Sequence, residues 1–334
     1  MSRESSVLVV GGAGYIGSHA ARVLRSHGYD VLIFDNLSRG HRFAAEGFEL
    51  IEADIADRAH LSQALKRVAG VMHFAADSQV GESVEHPRKY FFNNVEKGLA
   101  LLNAVVDAGV RNFIFSSTCA VYGIPGKMPI TEDTPRQPVN PYGISKLFFE
   151  NALESYGRAY GLRSMSLRYF NAAGADESGK IGEVHEPETH LIPCALKAIT
   201  GDRGPLQLFG NDYPTPDGTC VRDYIHVNDL AEAHVQALKL LQDGALSAQY
   251  NLGTGIGASV QQVIATIEEV TGSKVPRQMG ARRAGDPPEL IADPSRAQKA
   301  LSWKATRSLR DIIATAWQWE QKARRDVLGT DKDV

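Results

Sequence analysis

The sequence predicts an α/β fold: a Rossmann-type doubly wound parallel sheet with a smaller C-terminal α/β substrate-binding region. Three observations predict it. Short apolar runs alternate with helical patterns through the first half, and a glycine-rich turn, Gly11-Gly12-Ala13-Gly14-Tyr15-Ile16-Gly17, joins the first run to the first helix. After about Asn171 that rhythm gives way to Gly, Pro and polar residues. A length of 334 residues suits one large α/β unit or two fused domains, and 43% hydrophobic with 22% charged residues is a globular composition.

Residues 7–10, 31–34, 49–52, 71–74, 113–116 and 164–168 read as strands, nearly continuous in apolar residues because both faces of a parallel sheet are covered. Between them, residues 15–26, 61–67, 88–107 and 142–160 carry helical periodicity, the last behind Pro141, which suits a helix start. A dinucleotide-binding domain is therefore expected over residues 1–174. Residues 224–241 read as a strand end and a helix that rejoin it, over about 224–250. Helices at 191–200, 260–271 and 309–324 belong to the remainder, 175–334.

With 36 basic and 39 acidic residues, a net charge of −3, the chain has no positive field for a nucleic-acid backbone or an anionic membrane, and neither partner is expected. Cys119, Cys194 and Cys220 lie far apart without a CxxC pair. They suit free thiols in a reducing cytosol and give no metal site. The first apolar run is too short for a signal peptide or a membrane span, so a cytoplasmic location is expected.

In the GxxGxxG turn, Gly11 allows a tight turn, Gly14 lets backbone approach a pyrophosphate at the helix N-terminus, and Gly17 packs helix on strand. Asp35 follows Gly17 by 18 residues, at the end of the second strand. A carboxylate there accepts from ribose hydroxyls and repels a 2′-phosphate, which favours NAD over NADP, although Arg39 and Arg42 stand close by. Asp54-Ile55 and Phe74-Ala75-Ala76 end the third and fourth strands, at the edge where such sheets bind ligands.

Tyr142 and Lys146 are four apart near a helix start and share one face, while Thr118 closes a neighbouring strand. A phenol with an ordinary pKa of about 10 needs roughly 4 kcal/mol of electrostatic help to act as a base near neutrality. A nearby ammonium and a cationic nicotinamide ring can supply it.

These motifs, with Asp35-Asn36, Ser116-Ser117-Thr118, the run from Tyr142 to Lys146 and the run from Tyr169 to Gly174, resemble the extended short-chain dehydrogenase/reductase superfamily. Within it, the segment from Gly210 to Val227 closely resembles the UDP-glucose 4-epimerase family. The resemblance implies an isomerase of UDP-sugars that keeps NAD bound. Tyr142 would take the proton of the sugar 4-hydroxyl, Lys146 would hold the nicotinamide ribose and depress the Tyr142 pKa, and Thr118 would bond the 4-oxygen. It further implies NAD contacts at Gly11, Gly14, Tyr15, Ile16, Gly17, Asp35, Asn36, Asp54, Ile55, Phe74, Asn93 and Tyr169. Asn171, Leu191, Gln207, Phe209, Arg222, Arg283 and Asp286 would hold the UDP part. Leu290 falls where relatives line the far end of the sugar pocket, so N-acetylhexosamine or pentose substrates are the alternative to glucose and galactose. Ser78 stands where some relatives carry a lysine near the pyrophosphate.

A dehydratase of the same superfamily begins with the same oxidation but needs a further acid/base pair, and Cys119 and Ala120 follow Thr118. A non-catalytic NAD sensor would not need the Tyr142/Lys146 pair. His185-Glu186-Pro187-Glu188-Thr189-His190 fails as a metalloprotease helix, because its histidines are five apart and Pro187 interrupts. No GxSxG elbow occurs. Phe148 and Ala152, and on the preceding helix Phe91, Val95 and Leu102, give these helices a second apolar line, which together with the family likeness leads us to expect a homodimer.

Overall fold

The computed structural model describes residues 3–283 and 286–323. In chain order, the first half runs β1 (Ser6–Val10), α1 (Tyr15–Ser26), β2 (Asp30–Asp35), β3 (Glu49–Glu52), α2 (Arg58–Leu65), β4 (Gly70–His73), α3 (Val80–Glu85) and α4 (Pro87–Tyr90). A π-helical turn (Phe91–Lys97), α5 (Gly98–Asp107), β5 (Asn112–Thr118), α6 (Pro141–Tyr160) and β6 (Arg163–Tyr169) follow. Then come β7 (Asn171–Ala173), α7 (Leu191–Thr200), β8 (Leu206–Phe209), β9 (Val221–His226), α8 (Val227–Gln242) and β10 (Ala248–Leu252). The rest is β11 (Gly257–Ser259), α9 (Val260–Thr271), β12 (Arg277–Gly280), β13 (Glu289–Leu290), α10 (Ser295–Leu301) and α11 (Leu309–Gln318).

Among the described residues, seven strands form one sheet in the order β10-β6-β5-β4-β1-β2-β3. All its pairs are parallel. The order reverses between β1 and β4, which opens a crevice at their carboxyl ends. On β1, Val7 and Val9 face one buried layer with α1 and α8, while Leu8 and Val10 face the other with α2, α5 and α6. That two-sided burial is why the strands read as unbroken apolar runs. A smaller sheet, β11-β9-β13 with β7 paired to β9, and the β12-β8 pair carry a third core with α7, α9 and α11.

The expected helices form, with three differences. Helix α2 starts earlier than its apolar pattern, because the Asp57 carboxylate accepts from the amides of Ala59 and His60. The helix expected over 88–107 is broken by the π turn, where buried Asn94 ties Asp77 and Ser145 together. The end helix stops being α-helical at Gln318 and continues as a π turn through Ala323; Arg324 lies outside the described residues. The return to the large sheet is made by α8 and β10, since the expected strand end at Tyr224 belongs to β9 in the smaller sheet.

Candidate active site

The glycine turn leaves β1 with Gly11 at φ +78°, and a Cβ there would stand 2.5 Å from the Ala75 nitrogen. Gly17 meets the Gly11 carbonyl at 2.2 Å by the same test, so it packs against the turn itself and not against the strand, as the spacing had suggested. Gly14 differs: an added Cβ finds only the Gly11 carbonyl, at 3.4 Å. It is the N-cap of α1 and offers no side-chain cap, so the first amides of that helix point into the crevice without an internal acceptor. A glycine that internal packing hardly requires, at an uncapped N-terminus, fits a diphosphate seated there.

Asp35 is buried and accepts from the amides of Ala13 at 2.9 Å and Leu37 at 2.8 Å, while burial raises its pKa. Arg39 bonds the Glu186 carbonyl at 2.6 Å, and Arg42 pairs with Glu52. Neither arginine stands free for a 2′-phosphate. Asn36 donates to Asp54, whose carboxylate also takes Lys97 at 2.6 Å. The side chain of Ile55 is buried in the second core, Ile16 packs against the first, and the Phe74 ring packs on His234 at 5.0 Å. These three therefore turn apolar side chains into the cores. Ala75 and Ala76 are half-buried beside the turn, and Asn93 sits in the π turn next to Asn94. The Tyr15 hydroxyl donates to the Gly174 carbonyl at 2.6 Å, and the Tyr169 hydroxyl bonds His234.

Tyr142 stands at the start of α6, which Asn140 caps through the Gly143 amide at 2.8 Å and Pro141 opens. Thr118, at the end of β5, stands beside Tyr142 and favours the charged form of its hydroxyl, while the Thr118 Oγ1 accepts from the Ala120 amide at 3.1 Å. Lys146 is one turn on; its Nζ donates to the Ser116 carbonyl at 2.7 Å and lies 5.9 Å from the Tyr142 ring centroid. Burial pushes the Tyr142 phenol up to about 12, against the influence of the Thr118 hydroxyl, and pushes Lys146 down to about 7, opposed by Glu150. Sequence spacing gives no sign of this desolvation, which is the largest effect on both groups. Sequence reasoning also missed what lies behind the pair. Arg168 and Glu150 form a buried bidentate ion pair at 2.7 and 2.9 Å, joined by Ser117 at 2.6 Å and Tyr122 at 2.8 Å. It locks α6 to β5 and β6 one residue from Thr118.

Across the crevice, Arg222 on β9 pairs with Asp286 at 2.5 Å, and its charge is felt at Cys119, the residue after Thr118. Leu290 on β13 is in register with Arg222 and packs against the small core of Val121 and Tyr122. Gln207 and Phe209 alternate outward on β8; Gln207 donates to Gln278 and the Arg283 guanidinium lies 3.9 Å over the Phe209 ring. Asn171 pairs with Tyr224, and Leu191 opens α7 against the third core.

Residues 7–253 match the NAD dependent epimerase/dehydratase family, three quarters of the chain. The chain belongs to this family. The UDP-glucose 4-epimerase of Corynebacterium glutamicum is 51% identical over 313 residues, 93% of this chain and 94% of that protein. The crystal structure of the Brucella ovis UDP-glucose 4-epimerase in complex with NAD is 50% identical, with a TM-score of 0.91 over 93% of this chain and 97% of that one. The Bifidobacterium longum UDP-glucose 4-epimerase in complex with NAD+ and UDP is 39% identical, with a TM-score of 0.90 over 96% and 99%. No helix among the described residues is long and apolar enough to cross a membrane.

Proposed function

We propose that this member of the epimerase/dehydratase family interconverts UDP-glucose and UDP-galactose, with NAD kept in the crevice between β1 and β4. The observation that carries the reading is the placement of Tyr142 beside Thr118 with Lys146 one turn away, at the carboxyl edge of the sheet that bears the glycine turn. NAD, when bound, would supply the acceptor and then the donor of a hydride at sugar C4. Tyr142 removes the proton of the 4-hydroxyl and later gives it back, and Thr118 holds the same oxygen by a second hydrogen bond. Lys146, fixed on the Ser116 carbonyl, keeps its ammonium beside the phenol as charge develops there.

Gly11, Gly14, Gly17 and the start of α1 suit the diphosphate of NAD, and Asp35 suits a ribose. Asn36, Asp54, Ile55, Phe74, Ala75, Ala76, Asn93, Tyr15, Ile16 and Tyr169 complete our assignment of that side. Arg222 and Arg283 suit the UDP diphosphate, with Asn171, Leu191, Gln207, Phe209 and Asp286 around it and Leu290 at the sugar end. We divide the chain accordingly into residues 1–174, rejoined by about 224–250, for NAD, and mainly 175–334 for the UDP-sugar. A homodimer in the cytoplasm completes the reading.

A dehydratase needs an acid/base residue beside Thr118, yet burial pushes the Cys119 thiol up to about 12, where it gives and takes no proton at neutral pH. Purified protein incubated with UDP-galactose and no added cofactor is expected to yield UDP-glucose. Tyr142→Phe should retain NAD and lose about 10²–10⁴-fold in turnover. A dehydrated sugar product, or undiminished turnover in that variant, overturns the proposal. Replacing Leu290 by Ser should raise turnover of N-acetylated relative to plain hexoses; an unchanged ratio removes Leu290 as the gate.

A further inference from the structure

The loop between β7 and α7 contains a cluster that the epimerase chemistry does not use: Glu183, His185, Glu188 and His190 bring one donor atom each to within 4.8 Å of the others. Glu183 Oε1 lies 3.3 Å from His185 Nδ1 and also meets His190 Nδ1. Glu188 spends Oε1 on the amides of Thr189 and His190, at 2.8 and 2.9 Å. Its other oxygen has no hydrogen-bond partner, although the side chain is only 3% exposed. His185 Nδ1 is likewise buried without a hydrogen-bond partner, and it stands at ion-pair distance from both carboxylates, 3.3 Å from Glu183 and 3.5 Å from Glu188.

Two carboxylates and two imidazoles gathered at one point can be held either by protons on the imidazoles or by a metal cation in their place. Bonds of 2.0–2.2 Å to a tetrahedral zinc ion put neighbouring ligand atoms about 3.3–3.6 Å apart. The His185–Glu183 and His185–Glu188 separations fall in that range, whereas His190 lies closer than that to Glu183 and 3.8 Å from Glu188, so this half-exposed imidazole would shift on binding. Two imidazoles and two carboxylates suit a borderline divalent transition ion, whereas calcium and magnesium require more oxygen ligands. The spacing that disqualifies this segment as a metalloprotease helix is no obstacle, because the chain between Ala173 and Leu191 is an irregular loop that folds the four side chains back on one another.

We propose that Glu183, His185, Glu188 and His190 form a structural site for a zinc-like divalent ion. A site with four protein ligands holds its loop and leaves no open position for chemistry. This loop joins the two halves of the molecule: its backbone carbonyls accept from Arg39 at 2.6 Å, Gln79 at 3.3 Å and Trp319 at 3.3 Å. His185 also packs edge-on against Tyr15, 6.3 Å between ring centres, at the start of α1. The ion would clasp the substrate half against the glycine turn.

The test is calorimetric titration of the untagged, metal-stripped holoenzyme with ZnCl₂, alongside Co²⁺ substitution. One saturable site per chain is expected, with the intense visible bands of four-coordinate cobalt. His185→Ala and Glu188→Gln should each weaken zinc about a hundredfold or more while leaving the far-ultraviolet circular dichroism of the stripped protein unchanged. Absence of a saturable site, or the pale spectrum of six-coordinate cobalt, overturns the proposal. So does wild-type affinity in both variants. The cobalt spectrum of the unaltered chain decides the matter should either variant fail to fold.

Discussion

Burial acts on Tyr142 and Lys146 in opposite senses, holding the phenol protonated near 12 and drawing the ammonium down to about 7. Neither residue by itself is in the state that catalysis uses, so a positive charge arriving with the cofactor favours the phenolate, and the charge of a neighbouring carboxylate favours the ammonium. Glu150 is such a carboxylate, one turn further along α6. Folding leaves a measurable sign of this arrangement. Lys146 falls from its ordinary 10.5 to about 7 on folding, so between those values the unfolded chain holds a proton that the native chain has released. Stability then rises with pH across that window, and the penalty of the buried ammonium is complete below about pH 7. Denaturant midpoints of cofactor-stripped protein should accordingly climb from about pH 7 to about pH 9 more steeply for wild type than for Lys146→Met. Parallel curves would show that the lysine is not desolvated in this way.

At the scale of elements, the glycines of the β1–α1 turn separate what folding requires from what a ligand requires. Gly11→Ala imposes a left-handed φ on a residue with a Cβ and drives that atom to 2.5 Å from backbone, so the stripped protein should lose about 2 kcal/mol or more. Gly14→Ala meets one carbonyl at ordinary contact distance, so its thermal midpoint should stay near wild type while the NAD retained through purification falls. Equal destabilisation by the two substitutions would mean that Gly14 also serves the fold. The large sheet was legible in the sequence because strands buried on both faces are continuous apolar runs. Strand β10, Ala248–Leu252, was not, since it pairs on one side only and carries Gln249 and Asn251 among its apolar residues. Tyr142, Lys146 and Thr118 could be picked out by residue type and spacing. Their supports could not, because Ser116 acts through its carbonyl, and Arg168 with Glu150 is an ion pair between separate elements that looks like any other two charges along the chain.

On the scale of the whole molecule, the side chains of α6 divide between its two faces. Phe149 and Leu153 fill the core, and Ala152 packs partly against it, as Leu102 does fully from α5. Of the second apolar line expected from sequence, Phe148 at 47% exposure and Phe91 stay at the surface, and Ile144, Phe92 at 49%, Val80 and Val84 join them there. Helices α3 and α4 and the π turn pack on α6, so these exposed apolar side chains lie on neighbouring elements of one side of the molecule. A patch of this kind suits an isologous pairing, in which the same helices meet their copies across a twofold axis. The proposed homodimer places it there. Phe92→Asp with Phe148→Asp puts two charges per chain into that contact and none into the core, so sedimentation should change from a dimer to a monomer while circular dichroism stays native. Leu102→Asp, from the same sequence pattern but wholly buried, should instead unfold the chain, because an unpaired carboxylate would enter a layer with no partner for it. A wild-type protein that sediments as a monomer, or a double variant that remains dimeric, would remove these helices from the interface.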